Sequence, residues 1–405
     1  MTNFQEYPFA NLLKDALERM SFTTATEIQE QAIPILLEGS DLIACAQTGS
    51  GKTAAFALPM IEKLLQSPKQ QGLILSPTRE LAQQIADFLR KLLEGDKKMR
   101  VALLVGGQDI RKQFRILQNK PRIIVATPGR LIDHLKRNTV QIHKVQQLVL
   151  DEGDRMIDMG FAPQLEQILK YLPTERQTSF FTATLDKKVK ALAAKYLSNP
   201  KYISLNNSLP VASIHQSAIV VKADKKMDLV LDQINERKGS MIIFLKTKHG
   251  TDKLKKYLAS YNLAVDLIHG DRTQGQRKRA ITNFKNGKTR ILCATDVAAR
   301  GLDAPNVEHV LNYDLPMQDE DYVHRIGRTA RNGASGESIS FVTPRERQAW
   351  NRLVKKYDIA DAMLDVPVEK GEGFRHKTGQ KHKSKKKKAF YGKRKRKTSE
   401  RRQAR

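Results

Sequence analysis

The sequence predicts an α/β protein of two tandem domains, each a parallel sheet covered by helices, followed by a basic tail. Three observations predict this fold class. Short, nearly continuous apolar runs recur along the chain, which is typical of strands buried on both faces of a sheet. Amphipathic, helix-like segments separate these runs, so the strands are expected to be parallel. The arrangement occurs twice within 405 residues, enough for two domains of about 150 to 200 residues and a tail.

The apolar runs predict eleven strands and one connector. The first half contains DLIACA, GLILSP, VALLV, RIIVAT, QLVLD and TSFFTA, and the second contains SAIVVK, MIIFLK, AVDLIHG, RILCATD and VEHVLNYD. Between them, residues 204–216 read SLNNSLPVASIHQ, without periodicity and with the Asn, Ser and Pro of a flexible connector. We therefore expect a first domain at 1–204, a linker at 205–216, a second domain at 217–365 and a tail at 366–405.

The positive charge is concentrated in the tail. The formal net charge is +28, and residues 375–405 contain 16 Lys or Arg against one acid, which gives +15 and leaves +13 for the rest. Such a basic chain favours a polyanionic partner, either nucleic acid or an anionic membrane surface. The tail has too few large apolar residues to fold alone, so we expect it to be disordered. We interpret it as an electrostatic anchor for a nucleic acid, with a merely solubilising tail as the alternative.

The composition argues against a membrane or secreted protein. No run of 18 apolar residues occurs, and the start MTNFQEYPFA lacks the basic and apolar regions of a signal peptide. The two cysteines, Cys45 and Cys293, lie within apolar runs, as unpaired core thiols in a reducing compartment do. We expect a soluble, cytoplasmic monomer without membrane contact.

The stretch AQTGSGKT, at residues 46–53, predicts a phosphate-binding loop. It follows the run DLIAC and precedes the helical run AAFALPMIEKLL, so its small residues let backbone N–H groups surround phosphates at a helix N-terminus. Lys52 is expected to reach the β- and γ-phosphates, and the Thr53 hydroxyl to hold Mg²⁺. The Gly-Lys-Thr in NGKTRIL precedes a strand instead of a helix, so one nucleotide site is expected. The predicted loop comprises Ala46, Gln47, Thr48, Gly49, Ser50, Gly51, Lys52 and Thr53.

A cluster of acids follows the predicted strand QLVL. The stretch LVLDEGDRM carries Asp151, Glu152 and Asp154 after three apolar residues. In a phosphate-loop protein, a carboxylate at the end of a neighbouring strand is placed to hold the Mg²⁺ shell, partly through water, which suits Asp151. Glu152 is then expected to orient or deprotonate the attacking water. A solvated acidic turn is the alternative.

Further motifs follow in order along the chain and indicate a family. They are PTRELA at 77–82, Gly-Gly at 106–107, TPGR at 127–130, TAT at 182–184, ATDVAARGLD at 294–303 and HRIGRTAR at 324–331. Together with the phosphate loop and the acids, they make the chain resemble a DEAD-box ATP-dependent RNA helicase of the bacterial type over residues 4–354. The resemblance implies two RecA-like domains, ATP as the substrate with Mg²⁺, and an RNA-stimulated ATPase with helicase activity.

The resemblance also implies an ATP site shared by the two domains. The segment SFTTATEIQ matches the adenine-reading motif, in which Gln29 contacts the base edge, Phe4 stacks on the ring and Phe22 packs nearby. In the second domain, Asp303 matches the ribose contact, and two arginines match those that reach the γ-phosphate, where planar guanidinium groups suit the charge. The residues expected to bind or hydrolyse ATP are those of the phosphate loop together with Phe4, Phe22, Gln29, Asp151, Glu152, Asp303, Arg328 and Arg331.

The resemblance implies that RNA binds through its backbone. Gly, Thr and Arg groups suit phosphate and sugar oxygens, so little sequence specificity is expected. Domain closure on ATP and RNA is expected to separate short duplexes or remodel RNA–protein complexes, with ribosome assembly or RNA turnover as contexts. The implied RNA contacts are Thr78, Arg79, Gly106, Gly107, Thr127, Gly129, Arg130, Gly270, Arg277 and Thr295. The residues expected to couple the ATP and RNA sites are Asp154, Thr182, Thr184 and His324.

Gly153 and Thr182 are among the positions that depart from the family pattern. Gly153 replaces the alanine of Asp-Glu-Ala-Asp, and Thr182 replaces the serine of Ser-Ala-Thr. We hypothesise that the added methyl group of Thr182 fills the space vacated at Gly153.

Two other functions stay open at this point. A DNA helicase of the same superfamily is one, and a comparison of ATPase stimulation by matched RNA and DNA distinguishes it. An RNA-annealing chaperone that works through its tail without hydrolysis is the other. The complete set of catalytic residues argues against the chaperone.

Overall fold

The protein folds into two parallel β-sheets, each covered by helices. A computed structural model describes residues 2–46, 49–96, 98–185, 187–205, 214–299, 307–330, 335–359 and 363–365. Each sheet has seven strands, and the strand pairs within these residues are parallel. The predicted fold class is confirmed. Residues 206–213 of the predicted linker and the whole predicted tail, 366–405, lie outside the described residues.

The first sheet belongs to the first predicted domain. Its strands are β1 (Leu42–Cys45), β2 (Gln71–Leu75), β3 (Val101–Leu104), β4 (Ile123–Ala126), β5 (Val145–Leu150), β6 (Gln177–Thr182) and β7 (Lys201–Ser204). Their spatial order is β3-β4-β2-β5-β6-β1-β7. The helices described alongside it are α1 (Asn11–Arg19), α2 (Glu27–Glu38), α3 (Lys52–Gln66), α4 (Arg79–Leu92), α5 (Ile110–Gln118), α6 (Pro128–Lys136), α7 (Gly153–Asp158), α8 (Ala162–Leu169) and α9 (Lys187–Ala193).

The second sheet repeats this plan. Its strands are β8 (Ile214–Val220), β9 (Met241–Phe244), β10 (Val265–Ile268), β11 (Ile291–Ala294), β12 (His309–Asn312), β13 (Gly336–Val342) and β14 (Met363–Asp365). Their spatial order is β10-β11-β9-β12-β13-β8-β14, the same crossover pattern as in the first sheet. The helices described alongside it are α10 (Lys226–Glu236), α11 (Lys248–Ser260), α12 (Gln274–Lys285), α13 (Asp296–Ala299), α14 (Asp319–Ile326) and α15 (Arg347–Tyr357).

Apolar side chains are buried on both faces of the first sheet. Successive residues of one strand enter different cores, because side chains alternate across a strand. Ile43 and Phe180 belong to one core, whereas Ala44 and Phe181 belong to the other. This double burial is the reason that the strands appear in the sequence as continuous apolar runs.

Three strands do not follow the sequence pattern and were not predicted. The buried positions of β13 include Ser338 and Ser340, which interrupt its apolar run, and Asn312 Nδ2 donates to Ser340 Oγ at 3.1 Å. Strands β7 and β14 are short and lie at the ends of their sheets. In addition, β8 begins at Ile214, within the span 205–216 that was predicted as a linker.

The parallel strands bring the predicted motifs to one edge of the sheet. In the register of the first sheet, Cys45 is aligned with Thr182, and Leu150 is aligned with both Leu75 and Phe180. The phosphate loop, the acids and the TAT segment follow these strand ends, where ligand sites of parallel sheets lie.

Both cysteines carry free thiols, as predicted. Cys293 is buried and Cys45 is partly buried. Over the described part of the chain, none of the helices has the length and apolar character that crossing a bilayer demands.

Candidate functional site

The phosphate loop connects β1 to α3, as predicted. Gly51, which precedes the helix, has φ 99°, and an ideal Cβ there would lie 2.4 Å from Gln29 Nε2. Only glycine therefore fits both the backbone conformation and the space. Gln29 Nε2 donates to the Gly51 carbonyl at 3.0 Å, and Thr26 Oγ1 donates to the Ser50 carbonyl at 2.8 Å. The start of α2 thus supports the loop.

Lys52 begins α3 and is buried, with 7% of its surface exposed. Its Nζ donates to the Ala46 carbonyl at 2.5 Å, across the loop. Thr53 follows in the first turn of the helix and is partly buried. A buried cation and a hydroxyl therefore accompany the partial positive charge of a helix N-terminus, which is a favourable arrangement for phosphate.

Of the three residues of the predicted adenine motif, Phe4 and Phe22 are neighbours in the fold. Gln29 Oε1 accepts from Thr26 N at 2.9 Å, so the amide is oriented from both ends. The Phe4 ring is 1% exposed and packs at centroid distances of 6.1 Å from Tyr7 and 6.3 Å from Phe22. Phe22 is partly exposed. The stacking role predicted for Phe4 therefore requires its ring to be uncovered.

Asp151 and Glu152 follow the end of β5. Asp151 N donates to the Leu75 carbonyl at 2.9 Å, and its carboxylate, 3% exposed, accepts from Glu152 N at 3.1 Å. Burial, and next the charge of Glu152, raise the pKa of Asp151 to about 7. Glu152 has φ 53° and ψ 53°, a left-handed conformation that is uncommon for a residue with a side chain and clusters at functional sites.

These groups fit a magnesium ion that is bound together with phosphates. Mg²⁺ usually takes one or two carboxylates and completes its shell with phosphate oxygens and water. Asp151 is a buried carboxyl group that a nearby cation would keep ionised, and Thr53 supplies a hydroxyl at the phosphate loop. Among the residues that the structure describes, no group of three His, Cys, Asp or Glu side chains could hold a metal without a substrate.

Asp154 connects the acid cluster to the TAT segment. Its Oδ2 accepts from Ala183 N at 3.1 Å, from Thr184 N at 3.0 Å and from Thr184 Oγ1 at 3.3 Å. The Thr182 hydroxyl instead donates to the Thr184 carbonyl at 2.6 Å. A bridge of the predicted kind is therefore present, and it uses the two residues after Thr182.

The hypothesis that Thr182 fills the space at Gly153 is wrong. The three atoms nearest to an ideal Cβ at Gly153 are Cζ, Cε1 and Cε2 of Phe180, at 2.1, 2.3 and 2.9 Å. The Phe180 ring occupies this space because it projects from β6 beneath the start of α7, whereas the Thr182 hydroxyl turns to the Thr184 carbonyl.

Three of the predicted RNA contacts of the first domain, Thr78, Gly106 and Gly107, lie next to Arg79. An ideal Cβ at Gly107 would be 2.1 Å from Arg79 Nη1, and one at Gly106 would be 3.0 Å from Nη2, so the guanidinium lies against both glycines. Arg79 begins α4, which Thr78 caps because its Oγ1 accepts from Leu81 N at 3.2 Å. The Thr78 hydroxyl thus already has a structural partner.

Arg130 is held by a buried network that sequence reasoning missed. Its Nη1 donates to Gln113 Oε1 at 3.4 Å, and its Nη2 donates to the Gln108 carbonyl at 3.2 Å. His134 Nε2 lies 2.9 Å from the same Gln113 oxygen, and burial lowers the pKa of His134 to about 4, so the imidazole is neutral and can donate there. Next to Arg130, Gly129 is exposed, and Thr127 precedes α6 with 9% exposure.

Arg277, a predicted RNA contact of the second domain, forms an ion pair with the first. Its Nη2 lies 3.1 Å from Glu80 Oε1, the residue next to Arg79, and also donates to the Ala298 carbonyl at 3.2 Å. Gln274 Nε2 donates to the same Glu80 oxygen at 3.3 Å. The other predicted contacts differ in exposure: Gly270 is exposed, and Thr295 is partly buried at the end of β11.

The described residues of HRIGRTAR surround the end of α14. Arg328 is 3% exposed, and its Nε donates to the carbonyl of His324, which is partly buried. Arg325 was not predicted as a site residue, yet its Nε and Nη2 bind both oxygens of Asp296 at 2.6 and 2.8 Å. Four predicted site residues lie outside the described residues: Gln47, Thr48, Asp303 and Arg331.

Sequence reasoning also missed Arg155, which forms a buried ion pair with Glu152. A signal for it was present, because positions three apart on a helix are neighbours. The Gln113 and His134 pairing had no such signal, since the two residues lie on different helices and meet only through tertiary packing.

Two family models match the chain: DEAD/DEAH box helicase at residues 26–192 and helicase conserved C-terminal domain at residues 225–333. The DEAD-box ATP-dependent RNA helicase CshA of Bacillus licheniformis is 43% identical over 347 residues, which are 85% of this chain and 71% of that protein. The ATP-dependent RNA helicase CshA of Listeria monocytogenes is 45% identical over 359 residues, or 88% and 69% of the two chains.

Solved structures are similar over both sheets. Dbp5 of S. cerevisiae bound to RNA and ADP BeF3 has a TM-score of 0.82 and 32% identity, covering 91% of this chain and 96% of that chain. Mss116p bound to ssRNA and AMP-PNP has a TM-score of 0.80 and 33% identity, covering 90% and 78%.

Proposed function

The chain belongs to the DEAD-box family of ATP-dependent RNA helicases, and from this premise we propose that it separates short RNA duplexes or remodels RNA–protein complexes. The observation that carries the proposal is the link from Asp154 to Ala183 and Thr184, through three hydrogen bonds of 3.0 to 3.3 Å. It joins the acids expected to act on ATP to a second segment at the same sheet edge. A displacement of the acids is thereby transmitted to the TAT segment, and the reverse.

The first domain carries most of the proposed hydrolysis. Lys52 neutralises charge on the β- and γ-phosphates, while Thr53 and Asp151 would hold Mg²⁺, which would supply further neutralisation of the phosphoryl oxygens. Glu152 accepts a hydrogen bond from the attacking water and takes its proton as the γ-phosphate separates from ADP. The products are ADP and phosphate.

The second domain completes the proposed site. Arg328 and Arg331 contact the γ-phosphate, because planar guanidinium donors suit charge spread over several oxygens. Asp303 contacts the ribose. The burial of Arg328 supports a role in which its charge meets a phosphate away from bulk water.

RNA is the proposed polymer substrate, bound along its backbone. Arg79, Arg130 and Arg277 are its cationic contacts, and the exposed glycines beside them let phosphates approach the main chain. The ion pair between Arg277 and Glu80 supports this surface, because Glu80 adjoins Arg79 and the pair therefore brings predicted RNA contacts of both domains near each other. The similar Dbp5 and Mss116p structures contain RNA, which favours RNA over DNA.

We infer further that the protein is a cytoplasmic monomer that acts on structured RNA in ribosome assembly or RNA turnover. Its tail, with 16 basic residues between 375 and 405, adds RNA affinity by releasing counterions from phosphates. No membrane role is proposed.

Steady-state ATP hydrolysis tests the proposed function. The rate is measured without nucleic acid, with single-stranded RNA and with DNA of the same sequence. We expect RNA to stimulate hydrolysis more strongly than DNA, and Glu152→Gln to lose hydrolysis while it still binds ATP. Glu166→Gln is the matched control, because Glu166 is exposed and pairs with Lys195 at the surface, so its rate should equal that of the parent.

The same experiment distinguishes the alternatives. Equal stimulation by DNA and RNA would favour a DNA helicase of the same superfamily. If neither polymer stimulated hydrolysis and the Glu152→Gln variant annealed RNA as well as the parent, the chaperone function would replace the helicase.

A further inference from the structure

Beside the acid cluster, the backbone of Gly153 lies unusually close to the ring of Phe180. A methyl group at Gly153 would place its carbon 2.1 Å from Phe180 Cζ and 2.3 Å from Cε1. Real Cβ atoms essentially never come this close, so the ring or the helix would have to move. The φ angle of Gly153 is not in the left-handed region, which leaves the ring as the reason that alanine does not fit.

The Phe180 ring is enclosed in the core on one face of the first sheet. It is fully buried and belongs to the core that also contains Leu75, Leu150 and Met156. Its strand position is aligned with Ile43 on one side and with Leu150 on the other. Phe180 therefore lies between the strand that leads into the phosphate loop and the strand that leads into the acids.

The helix that packs over this ring, α7, begins directly after Asp151 and Glu152 and contains Asp154. Helix α7 has only six residues, and no side chain caps its N-terminus. Its start is fixed by the hydrogen bonds of Asp154, by the ion pair of Arg155 with Glu152 and by the contact of Gly153 with Phe180. Of these three contacts, only that with Phe180 involves the backbone of the helix directly.

We propose that Phe180 is a positioning residue for the ATPase reaction, and that Gly153 is its size-matched partner. The ring sets how closely the start of α7 approaches β6. In this way it fixes Glu152 relative to the phosphate loop and Asp154 relative to the amides of Ala183 and Thr184. The inference rests on the proposed function for its activity readout, and on packing alone for its stability readout.

A double-mutant cycle tests the pair. Gly153→Ala should lower kcat at saturating ATP and RNA by roughly 10- to 100-fold, because a small displacement of catalytic groups has effects of this size. Phe180→Leu removes the ring atoms that the methyl group would meet and should cause a smaller loss. The double variant should recover most of the rate that Gly153→Ala loses, since the methyl group then fills the space left by the ring.

Two controls separate positioning from general damage. Gly275→Ala in α12 adds a methyl group where an ideal Cβ meets no atom within 4 Å and φ is not left-handed, so it should leave Tm near that of the parent. ATP affinity is measured for all variants with a fluorescent nucleotide. A positioning role predicts that kcat falls while ATP affinity changes little, whereas general unfolding would lower both.

Each possible result of the double-mutant cycle either supports or overturns the proposed pairing of Gly153 with Phe180. Recovery of kcat and Tm in the double variant supports the pair, and so does folding of the double variant if Gly153→Ala alone does not fold. Additive effects of the two substitutions, or a Gly153→Ala variant equal to the parent, would overturn it. If the parent itself showed no RNA-stimulated hydrolysis, the proposed function would fail, while the Tm values of the cycle would still report whether the pair exists.

Discussion

Arg155 and Glu152 form an ion pair that is almost completely removed from solvent, with 1% and 6% of their side chains exposed. The pair spans three positions at the start of α7, so it connects the proposed water-activating carboxylate to the helix that follows it. Removing one partner of a buried ion pair leaves an uncompensated charge in a medium that solvates it poorly. The pair therefore holds Glu152 in place and also lowers the free-energy cost of burying its charge.

The first prediction concerns this pair. Arg155→Met should lower the free energy of unfolding by about 3 to 5 kcal/mol, because Glu152 stays buried without a cation. Hydrolysis at saturating ATP should fall as well. Lys195→Met is the comparison, since the Lys195 and Glu166 side chains are 55% and 48% exposed and the change should cost less than about 1 kcal/mol. Equal losses in urea unfolding for the two variants would contradict the argument.

The second prediction concerns the link between the acids and the TAT segment. Asp154→Ala removes the acceptor of two backbone N–H groups and should lower the ratio of RNA-stimulated to basal hydrolysis by roughly 10-fold or more. Thr184→Val deletes only the hydroxyl contact at 3.3 Å and keeps both backbone bonds, so its ratio should change far less. ATPase titrations with single-stranded RNA measure both ratios. A larger effect of Thr184→Val would show that the hydroxyl, and not the amides, carries the coupling.

The third prediction concerns the tail. A chain that ends at Asp365 should bind single-stranded RNA more weakly. The slope of log K against log salt concentration should also become less negative, by roughly 0.7 for each phosphate that the tail no longer neutralises. RNA-stimulated kcat should persist, because the described site residues all precede the tail. A full-length chain with the 16 basic residues of 375–405 replaced by Gln is the control for length. If this chain binds RNA like the parent, charge is not the basis of the tail's contribution.

Strand ends make most of the candidate site predictable from sequence. Lys52 and Asp151 stand out because a continuous apolar run ends shortly before each motif, and parallel strands collect such ends at one edge. The same logic fails for β13, because Ser338 and Ser340 are buried through tertiary packing and give no apolar signal. A pattern of apolar residues therefore finds strands only where burial and hydrophobicity coincide.

Side-chain partners are harder to predict than positions. Two departures from the family pattern suggest that Thr182 fills the space at Gly153, but the ring of Phe180 from β6 fills it. Glu80 belongs to a motif predicted to bind RNA, yet it pairs with Arg277 from the other sheet. Both contacts depend on the relative placement of elements that lie far apart in sequence, which local patterns do not encode.

His309 and Glu337 join neighbouring strands of the second sheet. His309 Nδ1 lies 3.0 Å from Glu337 Oε2, and Nε2 lies 2.7 Å from the Lys238 carbonyl. Both ring nitrogens thus face acceptors, so the imidazole is best accommodated with both protons. The hydrogen bond to Glu337 raises the pKa of His309 above its ordinary value, against the opposing effects of burial and of Arg237. The hydrogen bond from His309 is the main cause that lowers the pKa of Glu337 to about 2.

The fourth prediction follows from the sign of these shifts. Because the folded pKa of His309 is raised, its contribution to stability is complete below its ordinary pKa of 6.5 and is lost as the pH rises through the folded value. The Tm difference between the parent and His309→Gln should therefore be largest near pH 6 and should shrink toward pH 9. The exposed His143→Gln variant controls for the loss of an imidazole and should show a small difference at every pH. A difference for His309→Gln that grew with pH would mean that the neutral ring, and not the imidazolium, stabilises the sheet.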